Sequence, residues 1–168
     1  LCSYCHALIV TNNRESRSMA SIQYLSKSRV LAAMQCPKSL YLKVNKPELQ
    51  QLDQNVLETG NRVGDLARQI VGGNNGVLVG HDQELHKAVE QTAKLIAAGD
   101  RPIYEATFIH EGVLVRVDLL IPSKNGWQLI EVKSSGKKSF EKSNTSSKHK
   151  NLIADCAIQV WVLKGCGI

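Results

Sequence analysis

The chain has 168 residues, 43% of them hydrophobic and 21% charged. That is enough for one domain with a buried core and too apolar for wholesale disorder, and no run reaches the roughly 18–20 apolar residues a membrane helix needs. Aromatic residues are only 5%, which argues against a broad base-stacking platform, and the formal net charge of +6 is concentrated in one stretch.

Residues 1–131 carry 14 basic and 13 acidic side chains, whereas residues 132–150 carry six lysines (Lys133, Lys137, Lys138, Lys142, Lys148 and Lys150) against Glu141. Such a segment reads either as a phosphate-contacting edge or as a solvated lysine-rich loop.

In chain order, residues 1–20 hold Cys2-x-x-Cys5-His6, a short apolar stretch Ala7–Val10 and a polar run Thr11–Ser18. They lack the basic start and long apolar centre of a signal peptide. A single CxxC without a second pair at finger spacing is a poor zinc site. We read 1–20 as a disordered leader or a translation-start artefact ahead of Met19, and 21–168 as the domain. Five cysteines in a chain this large and apolar imply reduced thiols and a cytoplasmic setting rather than a disulfide framework.

Ser26 or Ser28 can cap a helical stretch containing Val30, Leu31, Met34, Leu40 and Tyr41, which Pro37 splits in two and Pro47 ends. A second helix is predicted over about 52–70, with Val56, Val63, Leu66, Ala67 and Ile70 inward. Gly60 and Gly64 stand four apart on one face of it and permit a close approach by backbone or ligand. Residues 72–76, Gly-Gly-Asn-Asn-Gly, form a turn, and Val77–Val79 a short strand. A third helix runs over about 82–98 with Leu85, Val89, Ala93 and Ile96 inward, and Gly99 stops it.

The period then changes from 3.6 to 2. Ile103–Ile109, Val113–Ile121 and Trp127–Lys133 read as three strands, joined by turns at Glu111-Gly112 and Ser123–Gly126. Residues 134–150 read as a loop and 151–164 as a helix, with Leu152, Ala157, Val160 and Leu163 inward. Helices, a three-strand meander and a last helix imply an α/β fold with a central mixed β-sheet flanked by helices. A further strand is expected beyond Ile168, so 21–168 reads as a domain truncated at its C-terminus.

The chemistry lies on the strands. Alternation puts Leu114, Arg116, Asp118 and Leu120 on one face of a strand that is apolar on both sides. A buried carboxylate there is costly unless paired or bound to a cation. Glu131 and Lys133 share a face of the next strand, and the short turn makes Asp118 and Glu131 near neighbours; Glu105 can join them. Two carboxylates and an ammonium on one sheet suit a Mg²⁺- or Mn²⁺-dependent phosphodiesterase, since such an ion takes one or two carboxylates and keeps its waters. They equally suit a plain buried salt bridge. Arg116 can meet a phosphate or pair with Glu105 or Glu131.

The order Asp118, Glu131-Val132-Lys133, then Gln159 resembles the PD-(D/E)xK nuclease superfamily, in particular RecB-type and CRISPR-associated-exonuclease-like domains. Tyr24–Ser28, Gln35-Cys36-Pro37-Lys38, Gly60-x-x-x-Gly64, Tyr104–Thr107 and Asp155–Gln159 resemble an uncharacterised bacterial family with such a domain, over about residues 22–168. The resemblance implies a restriction-endonuclease-like core. It implies that Asp118, Glu131 and the Val132 carbonyl hold Mg²⁺ or Mn²⁺, that Lys133 acts on the attacking water and that Gln159 steadies the site. Many RecB-type domains have a metal-binding histidine where Gly64 stands, so Glu105 is the candidate further ligand. An aromatic residue is replaced by Leu163. Cys36 matches the first cysteine of cluster-bearing relatives, but four thiolates are not assembled in this chain, so no iron–sulfur cluster is expected within it. Cys156 and Cys166 read as buried thiols.

The expected activity is hydrolysis of DNA phosphodiester bonds, in repair, recombination or defence, with Lys137, Lys138, Lys142, Lys148, Lys150 and Arg116 on phosphates. The rivals are a nucleic-acid-binding module that keeps the fold without cutting, and a scaffold with a buried ion pair.

Overall fold

The computed structural model describes residues 24–50, 53–80, 84–134 and 147–168. The leader 1–20 and the lysines at 137, 138 and 142 lie outside the described residues. The fold is α/β with a mixed sheet.

Strand β1 (Leu25–Ser26) runs into helix α1 (Lys27–Gln35), and Pro37 opens helix α2 (Pro37–Asn45), so the expected break occurs there. Helix α3 (Gln54–Ala67) is capped by Asp53, whose carboxylate accepts from the Asn55 amide at 3.0 Å. It passes into a wide turn, Arg68–Gly72, and then strand β2 (Val77–Leu78). Helix α4 (Leu85–Ala98) ends on Gly99, whose φ of 65° lets its amide return to the Leu95 carbonyl. Strands β3 (Ile103–His110), β4 (Val113–Ser123) and β5 (Gly126–Ile130) form the expected meander, and helix α5 (Ser147–Gly165) closes the chain. Glu111 and Gly112 both have positive φ, 45° and 76°, as a two-residue hairpin turn of matching twist requires.

Strand β4 is the axis of the sheet. On one edge it pairs antiparallel with β3, which in turn pairs parallel with β2. Its other edge is shared: β1 pairs parallel with Val113 and Leu114, while β5 pairs antiparallel with Leu119–Ser123. Strand β1 therefore points towards the middle of β4 from one end and β5 from the other. The chain leaving each, Lys27 on one side and Glu131–Lys133 on the other, is delivered to the same stretch of edge.

Ile103, Ala106, Phe108, Val115, Val117 and Leu120 pack with Ala88 of α4 and with Val162 and Leu163 of α5. Burying each large aliphatic side chain contributes about 1.5–3 kcal/mol. Beyond β2 the open edge of β3 is covered by α4, where the Thr92 hydroxyl accepts the Thr107 amide at 3.0 Å.

Several sequence expectations are corrected. In α3, Val56 and Leu66 are exposed, and so is Ile70 in the turn that follows, by 73%. That helix makes its contacts mainly with the turn that follows it and buries no residue of its own. In α4 the buried positions are Ala88 and Thr92, with Ala93 outside. The ladder of β5 ends at Ile130, so Glu131, Val132 and Lys133 follow the strand rather than belong to it. Helix α5 begins at Ser147, four residues before the expected start, so Lys148 and Lys150 are helical. Its inward face is Asp155, Gln159, Val162 and Leu163, while Ala157 and Val160 face out. The apolar period misleads there because two polar residues occupy the inward stripe, Asp155 meeting Lys27 and Lys133, and Gln159 meeting Glu131 and Asp155.

Candidate active site

Two neighbouring arrangements meet at Val132. The first is a closed charge cluster. Lys27 Nζ lies 3.0 and 3.1 Å from the two Glu131 oxygens and 2.8 Å from Asp155 Oδ1. Lys133 Nζ lies 2.5 Å from Glu131 Oε1 and 2.8 Å from Asp155 Oδ2. Gln159 Nε2 donates to Glu131 Oε2 at 2.7 Å and to Asp155 Oδ1 at 3.1 Å. The Glu131 and Asp155 side chains are 6% and 7% exposed, and Gln159 is fully buried. Two ammonium groups thus balance two buried carboxylates, the condition under which buried charge is tolerated. The Gln159 Oε1 atom is buried with no hydrogen-bond partner among the described residues.

The electrostatics of the cluster are one-sided. Burial works against the charge of Asp155, but hydrogen bonds from Lys133 and Lys27 outweigh it and hold the carboxyl below its ordinary range. Burial likewise opposes the Lys133 charge, and Asp155 and Glu131 more than reverse it, so the ammonium is held charged well above its ordinary range.

The second arrangement is an open cavity of about 450 Å³ lined by Gly60, Asn61, Gly64, Asp65, Arg68, Leu78, Glu105, Asp118, Leu119 and Val132. Asp118 stands across the β4 edge from Glu131, one step beyond the last β4–β5 pair, Leu119 with Ile130. Its Oδ2 accepts the Val132 amide at 2.7 Å, tying the chain after β5 to β4. Burial pushes the Asp118 carboxyl up; the Val132 amide opposes that shift, and Glu131 and Glu105 add to it. Across the other edge, the β3–β4 pairing is interrupted between Tyr104 with Leu119 and Ala106 with Val117. Glu105 sits in that gap with a φ of 56°, a left-handed conformation that is rare for glutamate in a strand. Backbone strain of this kind concentrates at binding and catalytic sites.

The sequence-predicted residues therefore fall into two groups. Glu131, Lys133 and Gln159 share the cluster, while Asp118, Glu105 and Val132 share the cavity, and Val132 joins them. Arg116 is half-buried in β4, opposite Thr107 and two residues before Asp118. Lys150 is exposed near the start of α5. Cys156 and Cys166 are half-buried, not buried, and Cys36 is exposed. Lys27 and Asp155 complete the cluster, yet the sequence reading gave neither a role in the site. Asp155 had a signal, since it stands one helical turn before Gln159; Lys27 had none, being 104 residues from Glu131.

No family model, curated protein or solved structure matches this chain.

Three carboxylates line the cavity, Asp65, Glu105 and Asp118, with Val132 beside them and Glu131 adjoining, an all-oxygen set of charged groups that fits a hard divalent cation that keeps most of its water. Among the described residues, no three His, Cys, Asp or Glu side chains gather into a preformed metal cage. No described helix is long and apolar enough to cross a membrane.

Proposed function

We propose that residues 24–168 form a divalent-metal-dependent deoxyribonuclease on a restriction-endonuclease-like core of the PD-(D/E)xK type, working in the bacterial cytoplasm. One observation carries the reading. Asp118, which lines a cavity, accepts the Val132 amide at 2.7 Å, and the residues on either side of Val132 pair with each other, the Lys133 ammonium 2.5 Å from Glu131.

Asp118, Glu131 and the Val132 carbonyl would hold Mg²⁺ or Mn²⁺, with Glu105 beside them. When bound, the ion supplies charge neutralisation at the phosphate and an acidified water. Lys133 places a permanently charged ammonium where it can orient that water or face a developing oxyanion. Asp155 and Gln159 hold Lys133 and Glu131 in place. Lys27 donates to both Glu131 oxygens and orients that carboxylate. Lys148 and Lys150, with Arg116, would meet the strand's phosphates, as sequence-independent contacts sensitive to salt. The free thiols among the described residues, Cys36, Cys156 and Cys166, accord with a reducing compartment.

A second reading, a module that binds nucleic acid without cutting, is favoured by a specific observation: both Glu131 oxygens are already engaged by Lys27, Lys133 and Gln159. The two readings separate on incubation of the protein with single- and double-stranded DNA in Mg²⁺, Mn²⁺ or a chelator. Metal-dependent cutting that is lost in both Lys133→Ala and Asp118→Ala supports the nuclease. Binding without cutting in any metal supports the module, and neither binding nor cutting contradicts both.

A further inference from the structure

One wall of the Asp118 cavity is the second half of α3 and the turn after it. Gly60, Asn61, Gly64, Asp65 and Arg68 face Glu105, Asp118 and Val132 across it. Arg68 is the one cationic side chain among the described residues that line the cavity. Its backbone is held against β3: the Tyr104 hydroxyl lies 3.4 Å from the Arg68 carbonyl oxygen and 3.2 Å from that of Gly73. A Cβ on Gly72 or Gly76 would run into the Tyr104 ring, so the turn can close this tightly only with glycine at both places. The helix widens at Arg68–Gly72, a departure from α geometry that recurs at functional sites. The guanidinium is oriented by Asp65, which it pairs with directly, and by Glu105, 3.7 Å from Nη1. It keeps 24% exposure. The approach over the helix is open. A Cβ on Gly60 would meet nothing within 4 Å, and one on Gly64 would meet only Arg68 Nη1, at 3.9 Å.

Resting on the hydrolase reading above, we propose that Arg68 is the phosphate anchor of this cavity, taking a backbone phosphate of a nucleic-acid strand that crosses α3 over Gly60 and Gly64. Arginine presents a planar fork of N–H donors that matches two phosphate oxygens at once, which lysine cannot do. Asp65, Glu105 and Asp118 repel an anion, so the strand binds once a divalent cation offsets them.

The test uses the whole chain and a short fluorescein-labelled oligothymidylate, with anisotropy read in Ca²⁺ to hold back hydrolysis. Arg68→Ala is expected to weaken binding about tenfold or more and to reduce the salt slope by about one, with Arg68→Lys between it and wild type. Gly60→Leu, which the open space should let fold normally, is expected to weaken binding by obstruction alone. Melting curves check each variant, and if Arg68→Ala fails to fold, Arg68→Lys and Gly60→Leu decide. Arg68-dependent binding without cutting in Mn²⁺ keeps the anchor and overturns hydrolysis. Cutting in Mn²⁺ with wild-type affinity in the Arg68 variants keeps hydrolysis and overturns the anchor. No affinity in the wild type overturns both.

Discussion

On one side of Val132, two ammonium groups face two buried carboxylates at hydrogen-bonding distance, with the Lys133 side chain still 43% exposed. On the other, Asp118 and Glu105 face a cavity in which Arg68 is the one described cation. The segment after β5 borders both, and their acids shift in opposite directions, Asp155 down and Asp118 up. The closed side is matched within itself and contributes stability. The open side holds a carboxylate that its own surroundings do not fully compensate, the feature on which the proposed metal-binding role rests.

The largest expected effect is on activity. Lys133→Ala should reduce DNA cutting by about a thousandfold, the scale of losing one positioned charge at a reacting phosphate, as read from single-turnover rates in Mn²⁺. Next comes the stability of the closed side. Asp155→Ala leaves Lys27 and Lys133 facing Glu131 alone. It should cost about 2 kcal/mol, lowering the melting temperature by about 4–8 °C in a scanning calorimeter, a figure already reduced for the partial exposure of Lys133.

The open side should respond in the other sense. Asp118→Asn can still accept the Val132 amide but carries no charge, so it should raise stability by less than about 1 kcal/mol at pH 7, a figure already reduced for the solvent that reaches this half-buried carboxyl, while abolishing cutting. The sign follows from its raised pKa: the folded state disfavours the carboxylate, the penalty develops as pH rises above the ordinary value of about 3.9, and it is fully present at neutrality. Denaturant titrations should therefore show the gain at pH 7 and lose it near pH 4. Asp155 does the reverse, its contribution being complete above about pH 4 and falling away as acid takes the pH through its lowered value. The smallest effect is a surface comparison. Glu90 pairs with Lys94 in full solvent, and Glu90→Gln should leave the melting temperature unchanged within error.

The sequence made the meander legible because period-2 alternation and short glycine turns fix which strands pair and in what register. With that register, Asp118 and Glu131 had to be neighbours, whereas Gln159 came from the family resemblance alone, the apolar period having put other residues on the inward face of α5. Lys27 was not legible, because it reaches the site through a two-residue strand whose pairing with Val113 and Leu114 leaves no local pattern. The faces of α5 were misjudged for a related reason. Asp155 and Gln159 are buried by their ionic partners, and hydropathy counts them as outward. In α3 and the turn after it the apolar pattern is present, but packing does not follow it, and Val56, Leu66 and Ile70 remain exposed. The left-handed Glu105 and the Arg68 wall depend on tertiary geometry that no spacing in the chain encodes.

The central claim is that a divalent cation takes its place between Asp118 and Glu131 at Val132. Anomalous diffraction at the manganese edge, from crystals soaked in Mn²⁺, addresses it directly. The account predicts an ion within bonding distance of an Asp118 oxygen and the Val132 carbonyl, with Glu131 turned from Lys27 towards it. A map without a manganese peak there, with Glu131 still clasped by Lys27 and Lys133, would contradict it.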